Sequence, residues 1–469
     1  MKRITQFTFV LMVLLSFPAF AKFGSFGSGD ARTVGLGNSG SALNQGILGI
    51  GKNPATMIQR TDSSFLQFSF PSLSANVSTN TLSIDDVKTY FGGDTAKYLT
   101  DLDKSNLINA FNSDGKFVGS VNVDLFSIGM MISKEVGAIS LSVSDNIFGG
   151  ITLPQEMVKL LLQGNNVNET YKFDNLQAQS SYIRTFGLSY ARQIINKKSQ
   201  NLRYLSAGIT AKYYMGFSFI NMQSSNSSLS TSVDHKITGS FNGTAQTAFS
   251  KGFRSMNPFD TSNTNEEFGF SAMPEAAGSG IGADIGIAGE LKSGLKFGVS
   301  ITDIGSFNWS GNAEEHKMNK NFAITDLTNQ GELDSLTKNV NTSSKSVGEI
   351  AGRLPSAFRI GLAMPVDSLL DWNSNTTVTL DYAQGFNDFA TNSTTPRISV
   401  GLDIYPVSWL PRLMLGAGND LTGKFRLSGG IGYNYFSFMD LYLATNDILS
   451  FGGGANQASV ALTFLWKIY

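Results

Sequence analysis

The chain has 469 residues, a formal net charge of −1, 15% charged residues, 49 glycines and no cysteine. A charged fraction so far below the roughly 25% of soluble domains, without long apolar runs, points away from an ordinary soluble protein and from a helical membrane protein alike. Near-neutrality leaves no footprint for nucleic acid. The lack of cysteine removes thiol nucleophiles, iron–sulfur clusters and thiolate metal sites.

Residues 1–21 read as a secretory signal: Lys2 and Arg3 at the positive end, an apolar core from Phe7 to Phe17, and Pro18-Ala19-Phe20-Ala21 before the cut. That core is too short to cross a bilayer as a helix, and no later apolar run reaches about 18 residues. Such an exported chain is released, periplasmic, or a barrel in an outer membrane.

Residues 22–60 are glycine-rich. Gly35-Leu36-Gly37-Asn38-Ser39-Gly40 matches a dinucleotide fingerprint but follows no β-branched strand. Gly46 to Asn53 resembles a phosphate loop, but Asn53 replaces the Mg²⁺-binding hydroxyl and Pro54 disfavours the helix that should follow. The segment reads instead as tightly turning chain.

Strands begin at Phe65-Leu66-Gln67-Phe68-Ser69-Phe70. Asp85 to about Asp114 reads as short helices in an insertion, with acidic residues at the start. Strands resume at Phe117–Ser133, Gly137–Asp145, Tyr182–Ile194 and Tyr204–Phe219, with a helix expected over Gln155–Gln163. Gln223 to Ser279 reads as strand ends around a long polar loop. Period-two alternation is clearest where Ile281, Ala283, Ile285 and Ile287 interleave with Gly282, Asp284, Gly286 and Ala288, and where Phe297, Val299 and Ile301 interleave with Gly298, Ser300 and Thr302. Trp309 is expected at a membrane interface. Asn312 to Ala351 reads as a polar insertion with a helix near Leu327–Leu336. Further strands follow at Phe358–Met364, Thr376–Tyr382, Arg397–Tyr405, Leu413–Gly418, Phe425–Tyr435 and Phe436–Ala444, some joined by short turns such as Asn419-Asp420 and Leu421-Thr422-Gly423. In the last strand Val460, Leu462, Phe464, Trp466 and Ile468 share one parity, with Leu465 and Tyr469 as departures. The pattern predicts an all-β, transmembrane antiparallel barrel of about 14 strands of about 10 residues. It would occupy 61–469, with insertions near 85–114, 155–180, 223–279 and 312–351. A soluble sandwich or propeller is the competing reading.

A glycine-rich segment ending in Asn53-Pro54-Ala55 before the first strand, a barrel ending in an aromatic, Gly280 to Gly286, Phe297 to Gly305, and Leu354 to Leu362 together resemble the FadL-like (long-chain fatty-acid transporter) superfamily, including PorV-like barrels. The resemblance implies that 22–60 folds back as a luminal hatch. It implies binding or passive transport of hydrophobic or amphipathic, fatty-acid-like small molecules across an outer membrane. The alternative it carries is a PorV-like anchor or shuttle for a secreted or surface protein, with the insertions at 85–114 and 312–351 as contact surfaces.

His235 and His316 lie in polar stretches and read as solvated loop residues. No metal, cofactor or nucleophile signature stands out, and no enzyme is expected. The polar parity carries Arg184, Lys212, Asp284, Glu290, Arg359, Asp381, Arg397, Asp403 and Arg426. Arg or Lys on a lipid face costs about 2–4 kcal/mol at the midplane, so these should face the lumen. Arg359, Arg397 and Arg426 are the candidate partners of an acidic head group.

Overall fold

The computed structural model describes residues 29–469, apart from 60–62, 93–97, 112–113, 134, 196–200, 260–273, 326–341, 368–374, 390–391, 407–408, 420–424, 436 and 453. The expected signal, the helix near Leu327–Leu336 and the turn residues 420–423 lie outside them.

Each alternating segment buries only one face, so it needs two neighbours and a filled interior. Fourteen strands supply this: β1 (Leu66–Thr79), β2 (Gly115–Ser133), β3 (Gly137–Leu153), β4 (Gln177–Ile195), β5 (Leu202–Ser224), β6 (Gly278–Leu291), β7 (Lys296–Trp309), β8 (Ala357–Pro365), β9 (Thr377–Gly385), β10 (Arg397–Ile404), β11 (Arg412–Asn419), β12 (Phe425–Tyr435), β13 (Met439–Thr445) and β14 (Gln457–Ile468). Each pairs antiparallel with the next in the chain. β14 pairs with β1, from Leu66 opposite Ile468 to Ser78 opposite Gln457. The ring is closed and has no free edge.

The outer face carries exposed Leu73, Ile139, Leu188, Ile209, Ile285, Leu413 and Val460. At the end where β14 finishes, Phe68, Trp466, Phe438 and Tyr435 form a chain of ring contacts 5.8–6.1 Å apart. This is the aromatic border that suits a bilayer interface. No helix among the described residues is long and apolar enough to cross a membrane; crossing belongs to the strands.

The long insertions all leave from the opposite end. Two of their helices are sharply started by capping boxes: α2 (Ile84–Phe91) by Ser83 with Asp86, and α3 (Asp101–Ala110) by Thr100 with Asp103. The helix Gln155–Gln163 stands where its spacing placed it. Leu82, Leu107 and Phe111 pack over the ends of β2 and β3.

The two polar insertions are not loops. Ile237–Phe249 pairs with the far end of β5, Glu314–Ile324 pairs with Ile237–Phe249, and Thr342–Ser346 adds beyond it. They extend the sheet past the barrel; one face is buried, at Gly243, Ala245 and Thr247 and at His316, Met318, Lys320 and Ile324, but it mixes polar with apolar side chains, so the alternation is weak in the sequence. Trp309 belongs to this extension. β8 ends opposite Thr302, so the last residues of β7 pair with Ile350–Gly352 instead. Trp309 is therefore fully buried, stacked on Phe219 at 5.1 Å, and not at a lipid interface. His316 is corrected for the same reason. It is buried between Thr247 Oγ1 (2.9 Å) and Ser344 Oγ (2.8 Å), with Phe259 against its ring. His235 is exposed, as expected.

Candidate functional site

Residues 29–59 lie inside the barrel and are almost all buried. The segment turns on itself because its ends are capped locally. Asp30 accepts from Thr33 N at 2.9 Å to start α1 (Ala31–Gly35), and Asn53 caps a short 3₁₀ turn at Pro54–Ile58, with Pro54 at the tolerant first position. Close approach to the wall needs glycine beneath it on two nearly opposite strands. A Cβ at Gly208 of β5 would fall 2.5 Å from Ala55 N, and one at Gly416 of β11 would strike Leu36 and Gly37.

The Asn-Pro-Ala motif is the seat on one side. Asn53 Nδ2 donates to Ser41 O (3.2 Å) within the segment and to Ile287 O (3.1 Å) on β6, while Oδ1 accepts from Ala55 N (3.1 Å). Ser206 Oγ of β5 donates to Ala55 O at 3.0 Å, and Ser300 Oγ of β7 donates to Lys52 O at 2.5 Å. On the other side Thr463 of β14 accepts from Ala31 N (2.9 Å), Ser39 and Thr379 of β9 share a 2.5 Å hydrogen bond, and Arg32 pairs with Asp403 of β10 at 2.7 Å. Asp381 Oδ2 accepts from the amides of Gly40 (3.0 Å) and Ser41 (2.9 Å). Leu465, apolar on the polar parity, is explained here: it packs on Ile47 and Leu48 of this segment.

Eight of the nine predicted luminal charges are buried; Glu290 is partly exposed and pairs with Arg203 at 2.5 Å. Arg359 and Arg397 come together, at one level of the wall on either side of the small Ala383. Arg426 stands apart, paired with Asp447 at 3.2 Å. Arg184 pairs with Asp145 at 2.7 Å, and Arg412 joins Arg32 on Asp403 at 2.9 Å. Lys212 meets Asp284 (2.8 Å) and Asp303 (2.6 Å). The parity of the strands could not reveal Arg32, Lys52 or Asp303. The first two lie in the unpatterned segment, and Asp303 sits at a register shift of β7 with φ of 55°.

Lys52 Nζ is buried and makes no hydrogen bond among the described residues. Burial pulls its pKa down to about 7; Arg359 and Arg397 act the same way, against Asp30 and Asp381. A lysine whose folded pKa lies below its unfolded value takes up protons on unfolding, so stability rises with pH between about 7 and the unfolded value of about 10.4. Lys52→Met should raise the unfolding temperature at neutral pH and flatten its rise towards pH ~10. An unchanged pH profile would show that Lys52 keeps its proton in the folded protein.

Cavities flank the segment. Below it, at the short-turn end, a cavity of about 330 Å³ is lined by Arg32, Asp403, Arg412, Asp440, Tyr442 and Lys467, among others. At the long-loop end two cavities of about 400 and 260 Å³ share Phe148, Gln179, Arg353 and Asp388.

A closed fourteen-strand barrel with an apolar outer face, charged side chains turned inward and its N-terminal segment docked within is an outer-membrane-type β-barrel. The chain belongs to a family described as a family of unknown function (DUF5723), which matches residues 57–416. No curated protein matches it. Among solved structures it is similar to the toluene transporter TodX of P. putida, at 10% identity and TM-score 0.47 over 94% of this chain and 98% of that one. A Pseudomonas aeruginosa FadL homologue is similar at 11% identity and TM-score 0.44, over 96% of this chain and 100% of that one. The Ralstonia pickettii toluene transporter TbuX matches at 10% identity and TM-score 0.44, over 94% and 98%.

Proposed function

We propose that the protein is a passive outer-membrane channel for hydrophobic or amphipathic small molecules, exported by residues 1–21 and gated by residues 22–60 acting as a hatch. The observation that carries this reading is the docking of residues 29–59 inside the lumen with cavities on both sides. Separate hydrogen bonds, the Arg32–Asp403 pair and small apolar contacts such as Ile47 and Leu48 on Leu465 hold the segment to several strands, with no covalent link, so that it can be released contact by contact. In this reading Arg359 and Arg397 meet an acidic head group during passage, while Arg426 is held by Asp447.

The chain has no cysteine, so an introduced pair reports cleanly. In a Ser39→Cys/Thr379→Cys variant the replaced hydroxyls lie 2.5 Å apart, close to where a disulfide of about 2.05 Å would form. Oxidation should block uptake of a fluorescent fatty acid by proteoliposomes, and reduction should restore it. Equal uptake in both redox states would rule out movement of this segment as the gate. In the reduced protein, Arg359→Gln/Arg397→Gln/Arg426→Gln should slow the acid more than the matching alcohol.

A further inference from the structure

The outer cavities carry a lining that passage of an apolar molecule does not explain. Gln177 and Gln179 of β4 stand directly opposite Gln223 and Asn221 of β5. Asn221 in turn faces Gln246 of the strand Ile237–Phe249, which faces Glu315. All five amides line the cavities of about 400 and 260 Å³. Gln246 Nε2 donates to Glu315 Oε1 at 3.2 Å. Gln177, Gln179, Asn221 and Gln223 make no side-chain hydrogen bond among the described residues.

Each amide presents a donor and an acceptor side by side in one plane. That is the complement of neighbouring hydroxyl groups, each of which both gives and accepts. Cross-strand pairing sets the Cβ atoms of these residues about 5 Å apart, so the array repeats on the scale of one small ring. The charged lining is balanced, Asp114 and Asp388 against Lys116 and Arg353, and selects for neither sign. Phe148 and Phe219 add apolar surface to the lining for carbon-bound hydrogens. The larger cavity falls within the ~300–1,000 Å³ of small-molecule sites.

We propose that this outer vestibule recognises a neutral polyhydroxylated ligand, a glycan presented either free or as the head of a glycolipid. The site does not depend on the proposed passage: a barrel that conducts nothing would still bind here. The test uses the full protein purified in a polyoxyethylene detergent, which brings no sugar. It is applied to an array of neutral oligosaccharides of hexoses, pentoses and N-acetylhexosamines. Octyl glucoside and dodecyl maltoside are titrated separately by calorimetry. At least one of these probes should bind, and Gln179→Ala/Asn221→Ala should weaken it by about tenfold per amide removed. Binding of free oligosaccharides identifies a soluble glycan as the source, and binding only of the alkyl glycosides identifies a glycolipid. If no probe binds, or if the double variant binds as well as the parent, the proposal is overturned. Retained heat-modifiable migration on a gel shows that the variant is folded.

Discussion

Removal of residues 29–59, with the preceding residues kept, should turn the barrel into an open pore. Barrels of about 16–18 strands leave an aqueous channel when nothing fills them, and fourteen strands enclose only somewhat less. Conductance across a planar bilayer is expected to rise on the order of tenfold or more for small ions. The wall beneath the segment is lined with polar and small residues such as Ser206, Gly208, Ser300, Thr379 and Gly416, which water can occupy once the segment is gone. Deletion also leaves Asp381 and Asp403 without the segment's donors, but in a wet lumen they are solvated rather than stranded. A second variant guards against loss of the fold. Gly208→Val/Gly416→Val places side chains where Ala55, Leu36 and Gly37 sit, and so wedges the segment off both walls without shortening the chain. It should leak as the deletion does. Parent-like conductance in both variants would mean that the wall side chains close the lumen by themselves, and the gate would have to be sought among the long loops.

The barrel is legible because period-two alternation reports directly which face a residue takes, and the lipid-facing Ile281, Ile285, Ile287, Leu413 and Leu415 take the face their parity gives them. The same signal fails where the buried face of a strand mixes polar with apolar residues. Ile237–Phe249 and Glu314–Ile324 are strands whose Ser, Thr, Asn and Lys content reads as loop, and the expectations for Trp309 and His316 fail because both belong to that extension. Parity also places the charges inside but cannot pair them. Arg359 and Arg397 meet only because β8, β9 and β10 are in one register, and the wall between them is an alanine. Arg426 looks equivalent along its own strand, and its partner Asp447 comes from a connection with no pattern to read. Leu465 shows the converse: an exception to alternation marks where another part of the chain packs against the wall.

The largest effect on stability is expected at Lys212. Its ammonium is buried between Asp284 and Asp303, at 2.8 and 2.6 Å, and both carboxylates are fully inaccessible. Tyr214 donates to Asp303 Oδ1 at 2.9 Å, and the Asp303 amide donates to Asp284 Oδ1 at 2.7 Å. Three adjacent strands, β5, β6 and β7, are thereby tied at the point where β7 shifts register against β6. Lys212 touches both acids while the Arg359 guanidinium also acts on them, so loss of the lysine leaves two buried carboxylates sharing a much reduced positive charge. Lys212→Met should therefore cost about 3–5 kcal/mol, the range for removing one partner of a buried ion pair. Replacing the whole group is a different experiment. In Lys212→Met/Asp284→Asn/Asp303→Asn no charge is stranded, the side-chain amide introduced at position 303 can still accept from Tyr214, and much of the loss should be regained. Urea unfolding of the two variants in the same detergent, followed by tryptophan fluorescence, separates the outcomes. A triple variant as unstable as Lys212→Met would show that the contribution comes from the packing of the lysine stem and not from the charges it neutralises. An unaltered midpoint in Lys212→Met itself would mean that the two acids are compensated without the lysine, as by the Arg359 guanidinium, and that the lysine is dispensable.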